Sequence, residues 1–372
     1  MQTLSRDEAD VDPSGAIDDR WFAGRPCGLA ESLDVAGAPL EAWLVPSDAG
    51  GRYLVIAHGG VDAATTDAGR AAVVALLDGA RFAPVVRTRP LGREQTNTSF
   101  VAVLADGAQL LVKILRRQDG GPNPDVEIPQ RLAAMGSHVV VGPVATWSQA
   151  GCDLAVATPF LALARDAWEV ALGAGDPREL ALGVAAMVAE LHLDLAEAFG
   201  VEEAHPGEHA EALHRAERAL GQEVPAHLVA AAAGMVDPGV VLRTHGDLHL
   251  GQVLEDRGRW LAIDFEGEPD RPLADRVRTA SPVRDLAGMV RSFSYAEAVG
   301  KHPTGWAALA TDVFLVTYLG RSEVARLLPS DVDAALMAHL VEKAAYELAY
   351  ERSHRPDWAW IPERALADLI GA

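Results

Sequence analysis

One stretch constrains this chain more than any other: His245-Gly246-Asp247-Leu248-His249-Leu250-Gly251-Gln252-Val253-Leu254, followed by Trp260-Leu261-Ala262-Ile263-Asp264-Phe265-Glu266. A polar loop lies between two apolar runs, and a short run of strand length then ends in a second carboxylate. The ordered set is what phosphoryl transfer from ATP to a hydroxyl requires: a base for the attacking group and oxygen ligands for the metal that bridges the phosphates. Asp247, Gln252 and Asp264 fill those roles in turn. Glu266 is a further candidate ligand, two residues on and on the same face if the strand continues. Taken singly, Asp247 is equally well explained as a cap of a neighbouring turn. The whole set in its context is what points to chemistry.

The words HGDLHLGQVL and DFEGEP resemble the catalytic loop and metal-binding word of aminoglycoside-phosphotransferase-like kinases. They are most similar to the maltokinase branch and its actinobacterial glucosamine-kinase relatives, because Gln252 stands where most of the superfamily has Asn. Ser281-Pro282-Val283-Arg284-Asp285-Leu286-Ala287-Gly288-Met289-Val290-Arg291-Ser292-Phe293 resembles another word of that branch. The resemblance implies an α+β, bilobal protein-kinase-like fold with a small N-terminal cap. It divides the chain into a cap over residues 1–85, an N-lobe with nucleotide loop and hinge over 86–160, and a helical C-lobe over 161–372. ATP and Mg²⁺ are the implied cofactors.

Composition narrows the partners. With 372 residues, 49% hydrophobic and 23% charged, the chain is an ordinary globular protein with room for more than one core. A net charge of −21 argues against a nucleic-acid surface, which needs clustered Lys and Arg. The same charge makes nucleotide binding depend on a metal ion and a few placed cations. Cys27 and Cys152 form no disulfide framework and read as buried small side chains in a reducing cytoplasm. The first twelve residues lack an apolar core of a signal peptide, and no run approaches the roughly 20 apolar residues that span a bilayer. The expectation is a cytoplasmic protein with a small-molecule substrate, no nucleic-acid partner and no membrane partner; oligomeric state is not legible.

Along the chain, Glu41–Pro46 and Arg52–Ala57 read as strands around the turn cluster Ser47-Asp48-Ala49-Gly50-Gly51, and Ala68–Asp78 as a helix. Asp106-Gly107 between Val101–Ala105 and Gln109–Leu115 is a strong hairpin signal. The segment Gln95-Thr96-Asn97-Thr98-Ser99 offers hydroxyl, amide and backbone N–H groups to a nucleotide phosphate, or is a plain polar turn. Lys113, one of only three lysines, lies inside an apolar strand and must snorkel or meet an anion. In the kinase fold the anion is a nucleotide phosphate, with a helical Glu completing an ion pair. Glu127 is the candidate for that Glu, although Pro129 suggests a helix that begins only near it. Val139–Trp147 and Asp153–Phe160 read as the last N-lobe strands. Phe160 then falls at the interlobe hinge, whose backbone meets adenine in this fold.

Arg178–Phe199 carries Leu182, Ala185, Ala186, Ala189, Leu193 and Ala196 at helical spacing. His192 on it reads as a core histidine, and Trp168 before it as a packing anchor. The histidines at 205, 209, 214 and 227 lack the Cys spacing of structural zinc. The resemblance gives Asp285 two roles, locking the catalytic loop and bordering the substrate, with Arg291 pairing to it or to another acid. Near the C-terminus Tyr346 and Tyr350, and Glu347 and Glu351, are each four apart and share a helix face. That face either meets water or, as the family's YE…YE…RPDW region implies, lines a sugar pocket together with Asp247, His249, Asp285 and Trp358. The expected reaction is ATP- and Mg²⁺-dependent phosphorylation of a sugar, glucosamine to glucosamine 6-phosphate first. A maltokinase making maltose 1-phosphate comes second, then an aminoglycoside phosphotransferase. A catalytically dead nucleotide-binding regulator is disfavoured because Lys113, Asp247, Gln252 and Asp264 are all retained.

Overall fold

The structure is a computed structural model that describes residues 13–18, 21–35, 37–78, 81–92, 97–118, 120–268 and 276–371. It divides into two compact units, Met1–Glu127 with Gly142–Leu161, and Ile128–Val141 with Ala162–Ala372. Among the described residues no helix is long and apolar enough to cross a membrane.

The first unit holds two antiparallel sheets. In one, Glu41–Pro46 pairs with Arg52–His58 around the expected turn, and Arg117–Gln118 joins the far edge of Arg52–His58. The other runs in the order Val85–Leu91, Thr98–Leu104, Gln109–Ile114, Cys152–Pro159, Ala145–Gln149. Its central hairpin turns at Asp106-Gly107, with Gly107 at φ 88°, a value that a residue with a side chain rarely adopts. One core, including Leu44, Leu54, Ile56, Phe100, Val112 and Ile114, serves both sheets and the Asp67–Asp78 helix. The cap and N-lobe segments therefore share this core, while a second cluster that includes Trp21, Phe22, Trp43 and Tyr53 lies within the cap segment alone. Buried Arg116 ties them further: Nη2 donates to both Asp62 carboxylate oxygens at 2.8 and 2.7 Å, and its guanidinium lies over the Trp21 ring. Cys152 is buried as expected, whereas Cys27 is exposed.

The second unit is mainly helical. Arg178–Phe199 forms as expected and stops at Gly200, φ 81°. Its buried face, however, is carried by Leu180, Val184, Val188, Leu191 and Leu195, while Leu182 is half exposed. Alanines at many positions blur the stripe, so the larger side chains decide which face is buried. That helix packs on Trp306–Leu319; Val332–His354 packs on Glu208–Leu220 and on Val283–Gly300. A small sheet orders Arg165–Asp166, Val253–Asp256 and Arg259–Ala262, joining the Trp168 segment to the strands that flank Gln252 and Asp264. The histidines at 205, 209 and 214 do not converge. His205 faces Glu208, His214 faces Glu217, and buried His209 meets His339 at 3.2 Å.

Candidate active site

The catalytic loop is held from behind by one face of the Val283–Gly300 helix. Asp285, buried, accepts the backbone N–H of Gly246 on Oδ1 at 3.0 Å and that of His245 on Oδ2 at 2.9 Å. One turn on, Gly288 lets the Leu248 carbonyl approach; a Cβ there would sit 2.5 Å from that oxygen. A further turn on, Ser292 Oγ accepts the N–H of Leu250 at 3.0 Å. Spacing of three and four residues puts all three contacts on one helix face. Behind them, Tyr318 donates to His192 Nδ1 at 2.8 Å, and His192 Nε2–H donates to Asp285 Oδ2 at 3.2 Å. Burial pushes the Asp285 carboxyl up, but His192 and the loop N–H groups outweigh it and hold it below the usual carboxylate range. His192 is thus the expected core histidine.

The strand Arg259–Ala262 ends two residues before Asp264, which adopts φ 61°, in the left-handed region that Asp tolerates better than most residues. The expected same-face placement of Glu266 on a continuing strand therefore does not occur. The left-handed turn instead brings carboxylate oxygens of Asp264 and Glu266 within 4.8 Å of each other. Gln252 Nε2 donates to Asp264 Oδ2 at 3.2 Å.

In front of the loop lies a pocket of about 410 Å³. Its wall is built from Lys343, Tyr346, Glu347, Tyr350 and Glu351 of the Val332–His354 helix, at spacings that share one face. Gly288, Ser292 and Tyr295 come from the Val283–Gly300 helix, and Trp168, Asp247, His249, Gly251, Arg355 and Trp358 complete the lining. The acids are paired. Lys343 Nζ donates to Asp247 Oδ1 and to Glu268 Oε1, both at 2.8 Å. Arg291 holds Glu347 through Oε2 at 2.9 Å. Glu351, buried, takes Arg355 on both oxygens and the Tyr295 hydroxyl at 3.2 Å. Burial raises the Asp247 carboxyl, yet Lys343 and His249 prevail and hold it below the carboxylate range. Burial wins at Glu347, whose carboxyl is raised despite Arg291 and Lys343.

No family model matches the chain. It is 28% identical over 328 residues to a glucosamine kinase of Mycolicibacterium smegmatis, covering 76% of this chain and 79% of that one. It is 30% identical over 141 residues to a glucosamine kinase of Streptacidiphilus jiangxiensis, covering 35% of this chain and 32% of that one. Solved structures of similar fold include a glucosamine kinase in complex with glucosamine, ADP and inorganic phosphate, at TM-score 0.71 and 22% identity over 94% of this chain and 96% of that one. Another is a glucosamine kinase in crystal form A, at TM-score 0.73 and 23% identity over 97% of this chain and 95% of that one. The chain is similar to glucosamine kinases in sequence over 76% of its length and in fold over 94% of it. Its fold is the bilobal, protein-kinase-like α+β fold.

Several sequence expectations need correction. Asp285 does not line the pocket: both of its oxygens are spent on the backbone of the catalytic loop and on His192, so it positions the loop rather than touching substrate. Gln95 and Thr96 lie outside the described residues. The Asn97 and Thr98 side chains serve the scaffold instead of a phosphate, because Asn97 Oδ1 accepts the Arg116 N–H and Thr98 Oγ1 accepts Arg116 Nε–H. Thr98 and Ser99 already belong to a strand, and Ser99 is buried opposite Lys113. Lys113 Nζ meets Asp125 Oδ2 at 2.9 Å, two residues before Glu127. The helix carrying both spans Pro124–Ala134 straight through Pro129. Phe160 spends its N–H on the Gln109 carbonyl at 2.9 Å, and Arg89 covers its ring. Trp168 packs against the core and also lines the pocket.

Lys343, Tyr295 and Arg355 were not picked from sequence. Lys343 carried a signal, as one of three lysines in the chain, placed beside the Tyr346-Glu347 pair.

Proposed function

We propose that the protein transfers the γ-phosphoryl group of ATP to a hydroxyl of an amino sugar, glucosamine giving glucosamine 6-phosphate, with Asp247 as the base that receives the hydroxyl proton. One observation carries this reading. Among the described residues, Asp247 Oδ2 and Glu347 Oε1 keep no hydrogen-bond partner while the other oxygen of each is bound by a cation, and both residues line the same pocket. One free oxygen suits the acceptor hydroxyl and the other an ammonium group. Tyr346, Tyr350 and Trp358 line the pocket with aromatic surface, which suits the C–H side of a sugar. A carboxylate held below its usual range is a weak base. That suits a loose phosphoryl transfer in which the base orients the hydroxyl and takes its proton late.

Asp264 and Glu266, with Gln252 beside them, form a hard oxygen set of the kind that holds Mg²⁺, and reorientation of the Gln252 amide would turn its oxygen toward an ion. Such an ion would neutralise phosphate charge during transfer. Lys113 is the proposed phosphate contact of the first unit. Glu351 is a poorer ammonium acceptor than Glu347, because both of its oxygens are taken. Asp357 is exposed and outside the pocket lining.

Maltose is the second reading, favoured by the cationic partner that each wall carboxylate already has. Steady-state kcat/KM for glucosamine, N-acetylglucosamine and maltose, with the product assigned by phosphorus NMR, separates them. Glucosamine should lead, and Glu347→Gln should lower its kcat/KM about tenfold, the gap between a charge-assisted and a neutral hydrogen bond. Maltose matching glucosamine, or an Asp247→Asn enzyme retaining turnover, overturns the reading.

A further inference from the structure

Lys343 is a part-buried ammonium, its side chain 14% exposed, set between two carboxylates, and only one of them depends on it. Glu268 has a second cation, since Arg284 Nη2 meets its other oxygen at 2.8 Å. Among the described residues Asp247 has no such reserve: its next positive neighbour, His249, stands 4.0 Å away, beyond hydrogen-bond reach. Burial also disfavours the charged form of that imidazole. Asp247 keeps only 16% of its side chain exposed, so water cannot fully replace Lys343.

The geometry of the two oxygens gives the pairing a consequence. The terminal torsion of an Asp side chain is broad and nearly two-fold, so an unanchored carboxylate samples many orientations. Lys343 binds Oδ1 alone, and Glu268 fixes the ammonium from the other side. The Tyr346 ring, 5.0 Å from Nζ, closes a further side by a cation–π contact. We propose that Lys343 is a positioning residue for the phosphoryl-transfer step: by gripping Asp247 Oδ1 from the Glu268 anchor it presents Oδ2 to the acceptor hydroxyl. This inference rests on the reading of Asp247 as the base. The proton passes from the acceptor oxygen to Asp247 Oδ2 as that oxygen bonds to phosphorus and the bond from phosphorus to the leaving ADP oxygen breaks. Lys343 keeps its three protons throughout.

Misplacement of a reacting group by about 1 Å costs on the order of 10²-fold in rate, which sets the expected effect. In the full chain, Lys343→Met should lower kcat about 100-fold while KM for ATP stays within about threefold. Lys343→Arg, which keeps charge and donors, should recover at least part of kcat. Lys343→Met/Glu268→Gln relieves any repulsion between the two carboxylates and so separates folding from positioning. Its kcat should stay near that of Lys343→Met even where its melting temperature returns to that of the wild type. Wild-type kcat in that double variant, or a Lys343→Met effect confined to KM, overturns the inference. Asp247→Asn measured in parallel tells the two failures apart: a dead Asp247→Asn with a fully active Lys343→Met removes only the role of Lys343, whereas an active Asp247→Asn removes the base assignment beneath it.

Discussion

Asp285→Asn should cripple the kinase without any change in the pocket wall. The carboxylate accepts two backbone N–H groups of the catalytic loop, at 2.9 and 3.0 Å, and His192 Nε2–H besides. An amide of the same shape can accept with one atom only. If its oxygen faces His245 and His192, its NH₂ group confronts the N–H of Gly246. One charge-assisted bond is lost, about 1.5–3 kcal/mol, and a donor is left unsatisfied, about 1–3 kcal/mol more. Gly246 is only partly buried, so water recovers some of that, and the lower half of the sum is expected, about 2.5–4 kcal/mol. For a unit of this size each kcal/mol shifts the melting temperature by about 2–4 °C, so a drop of roughly 5–15 °C follows. Because Asp247 lies one residue beyond the released Gly246, kcat should fall on the order of 100-fold.

Scanning calorimetry and steady-state kinetics on the purified variant read both numbers. The pH dependence adds a sign. Asp285 is held below its unfolded range, so its contribution is fully present above the unfolded value of about 4 and is lost as pH falls through the lower folded value. The stability gap between wild type and variant should therefore be constant from pH 5 to 8 and narrow only below about pH 4. A variant with wild-type melting temperature and kcat would show that the loop holds its shape without Asp285.

Three further outcomes are expected. Gly288→Ala should cost about 1–3 kcal/mol and lower kcat, since its Cβ would meet the Leu248 carbonyl at 2.5 Å; a neutral substitution in calorimetry and turnover would mean the helix yields freely. Asp264→Asn should abolish the tightening of nucleotide binding by Mg²⁺ in a calorimetric titration, and a wild-type Mg²⁺ effect would remove Asp264 from the ligand set. His209, pushed by burial and by His339 to about 4, must protonate at a cost, so about 3 kcal/mol of stability present above pH 6.5 should be lost progressively toward pH 4. His209→Gln should erase that part of the pH profile.

The elements set by local chemistry were legible. Asp106-Gly107, the turn after Glu41–Pro46 and the helix over Arg178–Phe199 each follow from residues a few positions apart. The helix that carries Lys113's partner Asp125 starts earlier than Pro129, read as a breaker, suggests. Asn123 in fact caps the helix, its side chain accepting the Asp125 N–H at 2.9 Å, and Pro124 takes the first turn, where its missing N–H costs nothing. Those two signals outweigh the single bond lost at Pro129. In the site, the family resemblance, with helical spacing for the two Tyr and Glu pairs, pointed to Asp247, His249, Tyr346, Glu347, Tyr350, Glu351 and Trp358, all of which line one pocket. What spacing could not give is pairing at long range. Lys343 reaches Asp247 across 96 residues and Arg291 reaches Glu347 across 56, and no local pattern records either.

Those long-range pairs also limit how strongly the pocket can select an amine. Glu347 and Glu351 sit four apart on one helix face, where two unpaired carboxylates would repel and cost stability. Arg291 and Arg355 remove that repulsion, and Lys343 does the same for Asp247. The neutralisation that makes the wall stable takes most of its negative field away from a ligand. An ammonium arriving in the pocket meets a wall already balanced by three cations, with Glu347 Oε1 as an acceptor that keeps no partner among the described residues. Charge alone then favours glucosamine over a neutral hexose by about tenfold, the worth of one charge-assisted bond over a neutral one. A much larger preference would have to come from shape. Replacing Arg355, whose guanidinium is about half exposed and covers Tyr350 and Trp358, would test that division by opening the pocket while freeing Glu351 for an ammonium.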